Sequence, residues 1–319
     1  MSGPDGWTLY TNPFNKPDES CHLLMYYSID GVGNKEDINR QCVFVDDKGP
    51  NPKKTIGEPS KPGDGFTWVT SKTSITMDCT DPEPHPVNNN EVWWRISVDK
   101  VFGDWQHAPA PKTIYFEGDS NHDLEFYCKD ALGNEGPKDG PEYFKVDTEP
   151  PKITKTMIGD DHLGTCPPTK EGDICYVKDD GENGVHVDVK DGGEICAVDE
   201  TECSYGLWWF TDETTCKDKY GEKAWDGYKC KVDAGEFGEE GKDIIFYEDS
   251  VHNLYIDCYD ALGNEKTDIE VFNVDSTPPT TKKTYGEPTK VEDGYRWITK
   301  DTIIKLTATD AKVGPKEIK

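Results

Sequence analysis

The chain has 319 residues, room for two or three domains of ordinary size, and with 34% hydrophobic and 11% aromatic residues its cores must lean on aromatic side chains. Its 63 acidic against 35 basic side chains give a formal net charge of −28, a surface that repels nucleic-acid phosphates and anionic lipid headgroups and favours cations and cationic partners. No apolar run reaches the roughly 18 residues of a spanning helix, and MSGPDGW lacks an apolar signal core, so a secretion signal is expected to be removed or to lie outside this segment.

Along the chain, one pattern returns. Residues 22–36, HLLMYYSIDGVGNKE, place Leu24, Tyr26 and Ser28 on one side of an alternating stretch, which predicts a half-buried strand. Asp-x-x-Gly-Asn follows, a type I turn plus a residue of positive φ, then a strand ending at Phe44-Val45-Asp46. DKGPNPKK (47–54) reads as a connector, and WVTSKTSITMDCTD (68–81) as a strand with Ile75, Met77 and Cys79 inward. VWWRISV (92–98) adds a strand with paired tryptophans.

HDLEFYCKDALGNE (122–135) then restates the first hairpin, with Leu124, Phe126 and Cys128 inward, and the cycle runs on. Phe144-Lys145-Val146-Asp147 ends the strand, TEPPK (148–152) connects, and Val185, Val187 and Val189 mark the next inward strand. LWWFTD (207–212), HNLYIDCYDALGNE (252–265), Phe272-Asn273-Val274-Asp275 and STPPTTKK (276–283) complete it, and WITKDTIIKLTATD (297–310) opens another. Consecutive prolines make stiff spacers of polyproline geometry. No amphipathic helix is evident. Short strands, Gly/Pro turns and about 100 residues per unit predict an all-β chain of tandem immunoglobulin-like β-sandwich domains joined by Pro-rich linkers and stabilised by disulfides. The expected divisions are 1–47 (late part of a domain), 48–148 (complete), 149–276 (complete, with Cys-rich insertions) and 277–319 (early part of a domain).

Eleven cysteines without a C-x-x-C pair point to disulfides and an oxidising, extracellular setting. Cys79 and Cys128 lie inward on the two marker strands, where a bridge would tie sheet to sheet. The third unit is longer than the second in three windows, and these hold Cys166/Cys175, Cys196/Cys203 and Cys216/Cys230, each pair expected to staple its insertion. Cys21 and Cys42 flank the first hairpin and are expected to bridge its strands. Cys258 faces Val189 across the sheets, which leaves it unpaired or joined to Cys196 or Cys203.

The pattern H-x-L-x-Y-x-x-x-D-x-x-G-N-x-E, F-x-V-D-x-T-P-P, W-[IV]-T-x-x-T-x-I-x-L-x-A-x-D resembles the tandem Ig-like repeats of large archaeal and bacterial cell-surface proteins. It is carried by His22–Glu36, His122–Glu135, His252–Glu265, Thr277-Pro278-Pro279 and Trp297–Asp310, nearly the whole chain outside the third unit's insertions. The resemblance implies an Ig-like fold and an extracellular or cell-surface place, in a stalk, surface layer or adhesin. Pro/Gly in place of T-P-P at 48–50 and the high cysteine content depart from it.

The chain opens and closes part-way through a domain, which leaves two expectations. It is a segment of a longer repeat protein, or its partial ends complete those of neighbouring copies, end to end, by strand exchange. Catalysis is not expected. His22, His122 and His252 recur at strand starts as anchors, and no nucleophile elbow, H-E-x-x-H or phosphate loop occurs. Calcium is the cofactor considered, since acids gather near the connectors, with Asp46, Asp147 and Asp275 as candidate ligands beside DDGENG (179–184) and DGGE (191–194). The competing expectation is that these aspartates accept turn hydrogen bonds. Trp93/Trp94 and Trp208/Trp209 could stack on a glycan, although one of each pair must enter the core. The expectation is a non-enzymatic extracellular structural protein forming a rod, surface array or filament, with no nucleic-acid partner and no membrane insertion. The alternative is an adhesin that binds a protein or glycan through the third unit's insertions.

Overall fold

The computed structural model describes residues 6–83, 86–87, 89–98, 100–192, 198, 201–238 and 240–311. Its strands in chain order are β1 (Cys21–Tyr26), β2 (Asn39–Phe44), β3 (Asn51–Ile56), β4 (Ser60–Pro62), β5 (Thr67–Val69), β6 (Ile75–Thr80), β7 (Glu91–Val98), β8 (Val101–Phe102), β9 (Gln106–Pro109), β10 (Lys112–Ile114), β11 (Ser120–Lys129) and β12 (Asp139–Val146). After them come β13 (Lys152–Ile158), β14 (His162–Gly164), β15 (Cys175–Lys178), β16 (Gly184–Lys190), β17 (Thr201–Trp209), helix α1 (Glu213–Tyr220), β18 (Cys230–Glu236), β19 (Lys242–Ile245), β20 (Val251–Asp260) and β21 (Glu265–Asp275). The last are β22 (Thr280–Tyr285), β23 (Thr289–Glu292), β24 (Tyr295–Ile298) and β25 (Ile304–Thr309). The described residues up to Thr148 form one compact unit, and those from Glu149 onward a second.

The first unit holds a complete sandwich. One sheet has the order β10-β6-β3, and the other β4-β5-β12-β11-β7-β8, with β9 also on β7. Alternation does the sorting. On β11, Leu124, Phe126 and Cys128 are fully buried, and Leu124 and Phe126 share one core with Ile75 and Met77 of β6. Val69, Val92, Trp94, Phe116, Phe144 and Val146 fill the rest of that core. Burying a side chain of this size contributes about 2 kcal/mol. The second unit repeats the plan with sheets β13-β16-β19 and β14-β15-β21-β20-β17-β18, around Val185, Val187, Leu207, Phe246, Leu254, Ile256, Phe272 and Val274. In each sandwich one pairing is parallel, β12 with β5 and β21 with β15, and a period-two pattern cannot reveal direction. Together these arrangements are the all-β, Ig-like sandwich architecture.

The three Asp-x-x-Gly-Asn turns close identically. Gly33, Gly133 and Gly263 have φ of 91°, 95° and 81°, the left-handed region open to glycine. The aspartate carboxylate fastens the turn from inside: Asp130 Oδ1 accepts from the Leu132 and Asn134 amides at 2.8 Å each, and Oδ2 from Asn134 Nδ2 at 2.8 Å. The T-x-x-T of the other motif is likewise a turn lock. The Thr70 amide donates to Thr73 Oγ1 (2.9 Å) and the Thr299 amide to Thr302 Oγ1 (3.0 Å).

A helix appears where none is expected. The eight-residue α1 lies in the insertion between the second tryptophan pair and His252. Asp212 caps it by accepting from the Thr215 amide at 3.0 Å, and Cys216 is its one buried residue. So short a helix carries no apolar stripe to detect.

Among the described residues four disulfides are present: Cys79–Cys128, Cys166–Cys175, Cys203–Cys258 and Cys216–Cys230. Cys258 takes Cys203, one of the partners left open for it, because β17 sets Cys203 directly opposite it in the same sheet, and the expected Cys196–Cys203 staple is thereby overturned. The expected Cys21–Cys42 bridge is absent and both thiols are exposed. The register of β1 and β2 explains this, since Cys21 faces Phe44 and Cys42 faces Leu23. Cys196 lies outside the described residues.

Among the described residues the strands before β3 and after β21 form two-stranded sheets, β1-β2, β22-β25 and β23-β24. Their core positions stay open. Tyr26, Ile298, Ile304 and Leu306 are 50%, 44%, 49% and 44% exposed, whereas their counterparts Phe126, Val69, Ile75 and Met77 are 0% exposed.

Candidate functional site

Asp46 lies two residues past the end of β2, and in the first unit it meets two further aspartates. Asp81 comes from the end of the β6 motif and Asp130 from the Asp-x-x-Gly-Asn turn after β11. One carboxylate oxygen from each lies within 4.8 Å of the other two. The Asn134 side chain donates to the Asp46 carbonyl oxygen at 3.2 Å, so the turn also grips the connector backbone.

That grip explains a sequence departure. A Cβ on Gly49 would lie 2.1 Å from the Glu135 carbonyl carbon, so the connector approaches the turn more closely than any side chain permits.

The two carboxylate oxygens of Asp46 differ in their surroundings, and one meets the turn expectation. Oδ1 accepts from the Lys48 amide at 3.1 Å, the turn bond. Oδ2 is buried and without a partner, as is Oδ1 of Asp81, whose other oxygen takes the Val87 amide at 2.6 Å. Burial holds the Asp81 carboxyl above the usual carboxylate range against the Val87 hydrogen bond, and the charges of Asp46, Asp130 and Glu19 add to the rise. Hard, unsatisfied carboxylate oxygens gathered in one place are a donor set for a hard cation such as calcium.

Asp147 is fully buried at the end of β12, where its amide donates to the Val69 carbonyl at 2.9 Å. Asp275 Oδ1 accepts from the Thr277 amide at 3.0 Å, again a turn bond. The sequence singled out Asp46 but not Asp81 or Asp130. The available signal was recurrence: Asp81 is matched by Asp310, and Asp130 by Asp30 and Asp260, in the repeated motifs.

The recurrent histidines are placed as anchors. His122 lies against Phe116, ring centroids 4.5 Å apart and planes 7° from parallel, with Nε2 2.7 Å from Ser120 Oγ. His252 is fully buried, its Nε2 3.2 Å from Glu248, which also accepts from Lys219 at 3.0 Å. His22 Nε2 lies 2.9 Å from the Asp18 carbonyl. Burial pushes the Glu248 carboxyl up, but the hydrogen bonds from His252 and Lys219 outweigh it and hold the group below its ordinary value.

Of the tryptophans, Trp94 is 5% and Trp209 9% exposed, and both belong to cores. Trp93 is covered by His107 of β9, stacked at 4.3 Å, so it is no open platform. Trp208 lies beneath Lys229 and Lys231. The second unit's insertion borders a hollow of about 280 Å³ lined by residues including Leu207, Tyr220, Asp233, Tyr247 and Glu248.

No protein-family model and no curated protein matches the sequence. Among solved structures the chain is similar to domains FN1-FN3 of chicken CNTN1, at 10% identity over 78% of this chain and 77% of that one, with a TM-score of 0.27. It is also similar to a 1.5-MDa bacterial ice-binding adhesin, at 10% identity over 76% and 70% of the two chains, with a TM-score of 0.32. A third likeness is to the alpha-2-macroglobulin of Escherichia coli, at 8% identity over 82% and 26%, with a TM-score of 0.24. Likenesses this distant decide neither family nor activity. Among the described residues no helix is long and apolar enough to cross a membrane.

Proposed function

We propose that this chain is a non-enzymatic extracellular structural protein, a row of Ig-like sandwiches joined by stiff proline connectors and assembled with modules of its own kind. One observation carries the reading. The same core positions that are 0% exposed in the complete sandwich of the first unit, Val69, Ile75, Met77 and Phe126, are 44–50% exposed in the partial modules, at Ile298, Ile304, Leu306 and Tyr26. Such faces and strand edges are covered in a working protein, and strands of an adjacent module of the same kind, in the same chain or in a neighbouring copy, fit them. Disulfides within both sandwiches support an oxidising, extracellular setting. A calcium ion at Asp46, Asp81 and Asp130 belongs to the same reading, since it would fasten the connector to the turn behind it.

Sedimentation of the purified chain across a concentration series tests the assembly. End-to-end oligomers should grow with concentration, and Leu306→Asp should abolish them while leaving the melting of the complete sandwiches unchanged. A wild-type chain that stays monomeric throughout would refute assembly between copies. The adhesin reading is favoured by the hollow beside α1, and binding of a surface glycan or protein that is lost on removing residues 213–230 would decide for it.

A further inference from the structure

Each complete sandwich buries one lysine of its first strand against acids of its last. Lys54 of β3 reaches from the smaller sheet to Glu142 of β12, which it contacts, with Asp139 Oδ1 at 3.9 Å. Lys155 of β13 contacts both Asp268 and Glu270 of β21. The two sites are equivalent by sequence as well as by place. Each lysine opens the Lys-Thr pair after the connector, and each glutamate stands two residues before a core phenylalanine, Phe144 or Phe272. The lysine side chains are only 11% and 12% exposed and Glu270 only 6%.

An ion pair is the plain account of such a contact, but the surroundings serve it badly. Glu270 Oε2 is buried with no hydrogen-bond partner, and the Lys54 ammonium lies 5.7 Å from the centroid of the Phe126 ring, in the core. Burial of two charges costs more than their attraction returns unless every lone pair is satisfied. Burial pushes the Lys54 amine down, although Asp139 draws it up, and pushes the Glu270 carboxyl up against the opposing effect of Lys155. Burial thus favours the reactive form of one partner at each site, the free amine of Lys54 at the first and the neutral acid of Glu270 at the second.

We propose that Lys54 with Glu142, and Lys155 with Glu270, condense after folding into amide bonds, so that each complete sandwich carries a covalent tie between its first and last strands. At the second site the Lys155 ammonium gives a proton to the Asp268 carboxylate. The freed Nζ attacks the protonated Glu270 carboxyl carbon, the C–N bond forms and the C–OH bond breaks. The departing hydroxyl takes a further proton from nitrogen and leaves as water. Asp268 then releases its proton to solvent. No oxidant or co-reactant is consumed, and Asp139 stands in the place of Asp268 at the first site. Fixed proximity supplies the orientation that such a reaction lacks in solution. A poorly solvated ion pair gives way to a neutral amide and a water that escapes. The tie has a mechanical sense as well, because a pull along the chain enters a sandwich at its first strand and leaves at its last, and the load would bypass the hydrogen-bonded sheets.

The test is the intact mass of the full chain, reduced and denatured, followed by peptide fragmentation. Two waters should be missing from the sequence mass, and branched peptides should join Lys54 to Glu142 and Lys155 to Glu270. Lys54→Arg and Lys155→Arg keep the charge and should each restore one water, the double variant both. A wild-type chain at its full sequence mass would show ion pairs only and overturn the proposal, with no variant needed to fold. So would a water loss that survives the double variant. Branches at Asp139 and Asp268 would overturn the glutamates as acceptors.

Discussion

An aspartate in the Asp-x-x-Gly-Asn turn does the work of three hydrogen-bond acceptors at once. Asp260 is 6% exposed, and its Oδ1 takes the Leu262 and Asn264 amides at 2.8 and 2.9 Å while Oδ2 takes Asn264 Nδ2 at 2.7 Å. Removing the carboxylate strands buried donors, each of which costs about 1–3 kcal/mol when left unmade. Asp260→Ala should therefore lower the stability of the second unit by about 3 kcal/mol, read as a shift of the urea midpoint with an unchanged slope. Asp30→Ala, in the solvent-exposed copy of the same turn, should cost distinctly less. The turn, its glycine and the inward residues of the strands were legible in the sequence because each is a local requirement repeated three times. Cys258 was not. Its partner depends on which strand lies beside β20 in the sheet, a fact of topology that spacing along the chain does not contain.

Between residue and molecule, the strands were readable and the helix was not. Period-two alternation marks β6, β11, β16 and β20 because one face of each must be buried. Helix α1 has no such mark, and an eight-residue helix is unstable on its own in water. It persists because Cys216 is tied to Cys230 at the head of β18, in a small cluster with Trp209 and Ala224. The sandwich core of the second unit does not include these residues. Replacing both Cys216 and Cys230 by serine should accordingly abolish slow amide exchange in 213–220 while the exchange of β16 and β20 stays as in the wild type. Loss of protection in β16 as well would mean that the insertion props up the sandwich. The other misread pair, Cys21 and Cys42, teaches the same lesson from the other side. Flanking a hairpin does not place two residues opposite each other, and here the register offsets them by two.

For the molecule as a whole, what matters is how firmly one module hands on to the next. In the first unit the handover runs through Asp46, whose backbone carbonyl is held by Asn134 and whose side chain joins Asp81 and Asp130. The sequence pointed at Asp46 alone, since the three aspartates are brought together by strands far apart in the chain. Three carboxylates this close repel one another. The raised Asp81 carboxyl records that repulsion on top of its burial, and two buried oxygens stay without a donor. A calcium ion would remove both costs at once, by neutralising charge and by filling the vacant acceptor positions. The linkage then fixes the size of the effect. A ligand that binds only the folded form at 100 times its dissociation constant adds about 2.7 kcal/mol. Calcium at that excess should raise the melting temperature of the first unit, a chelator should reverse the rise, and magnesium, which demands tighter octahedral geometry, should do less. Asp81→Asn removes one charge and supplies a donor, so it should stabilise the calcium-free protein slightly while erasing the response to calcium. A melting curve indifferent to calcium in the wild type would leave the three aspartates as a mutual strain relieved by protonation alone. In that case stability should rise as the pH falls toward the elevated Asp81 value, because the folded state then binds a proton more tightly than the unfolded chain.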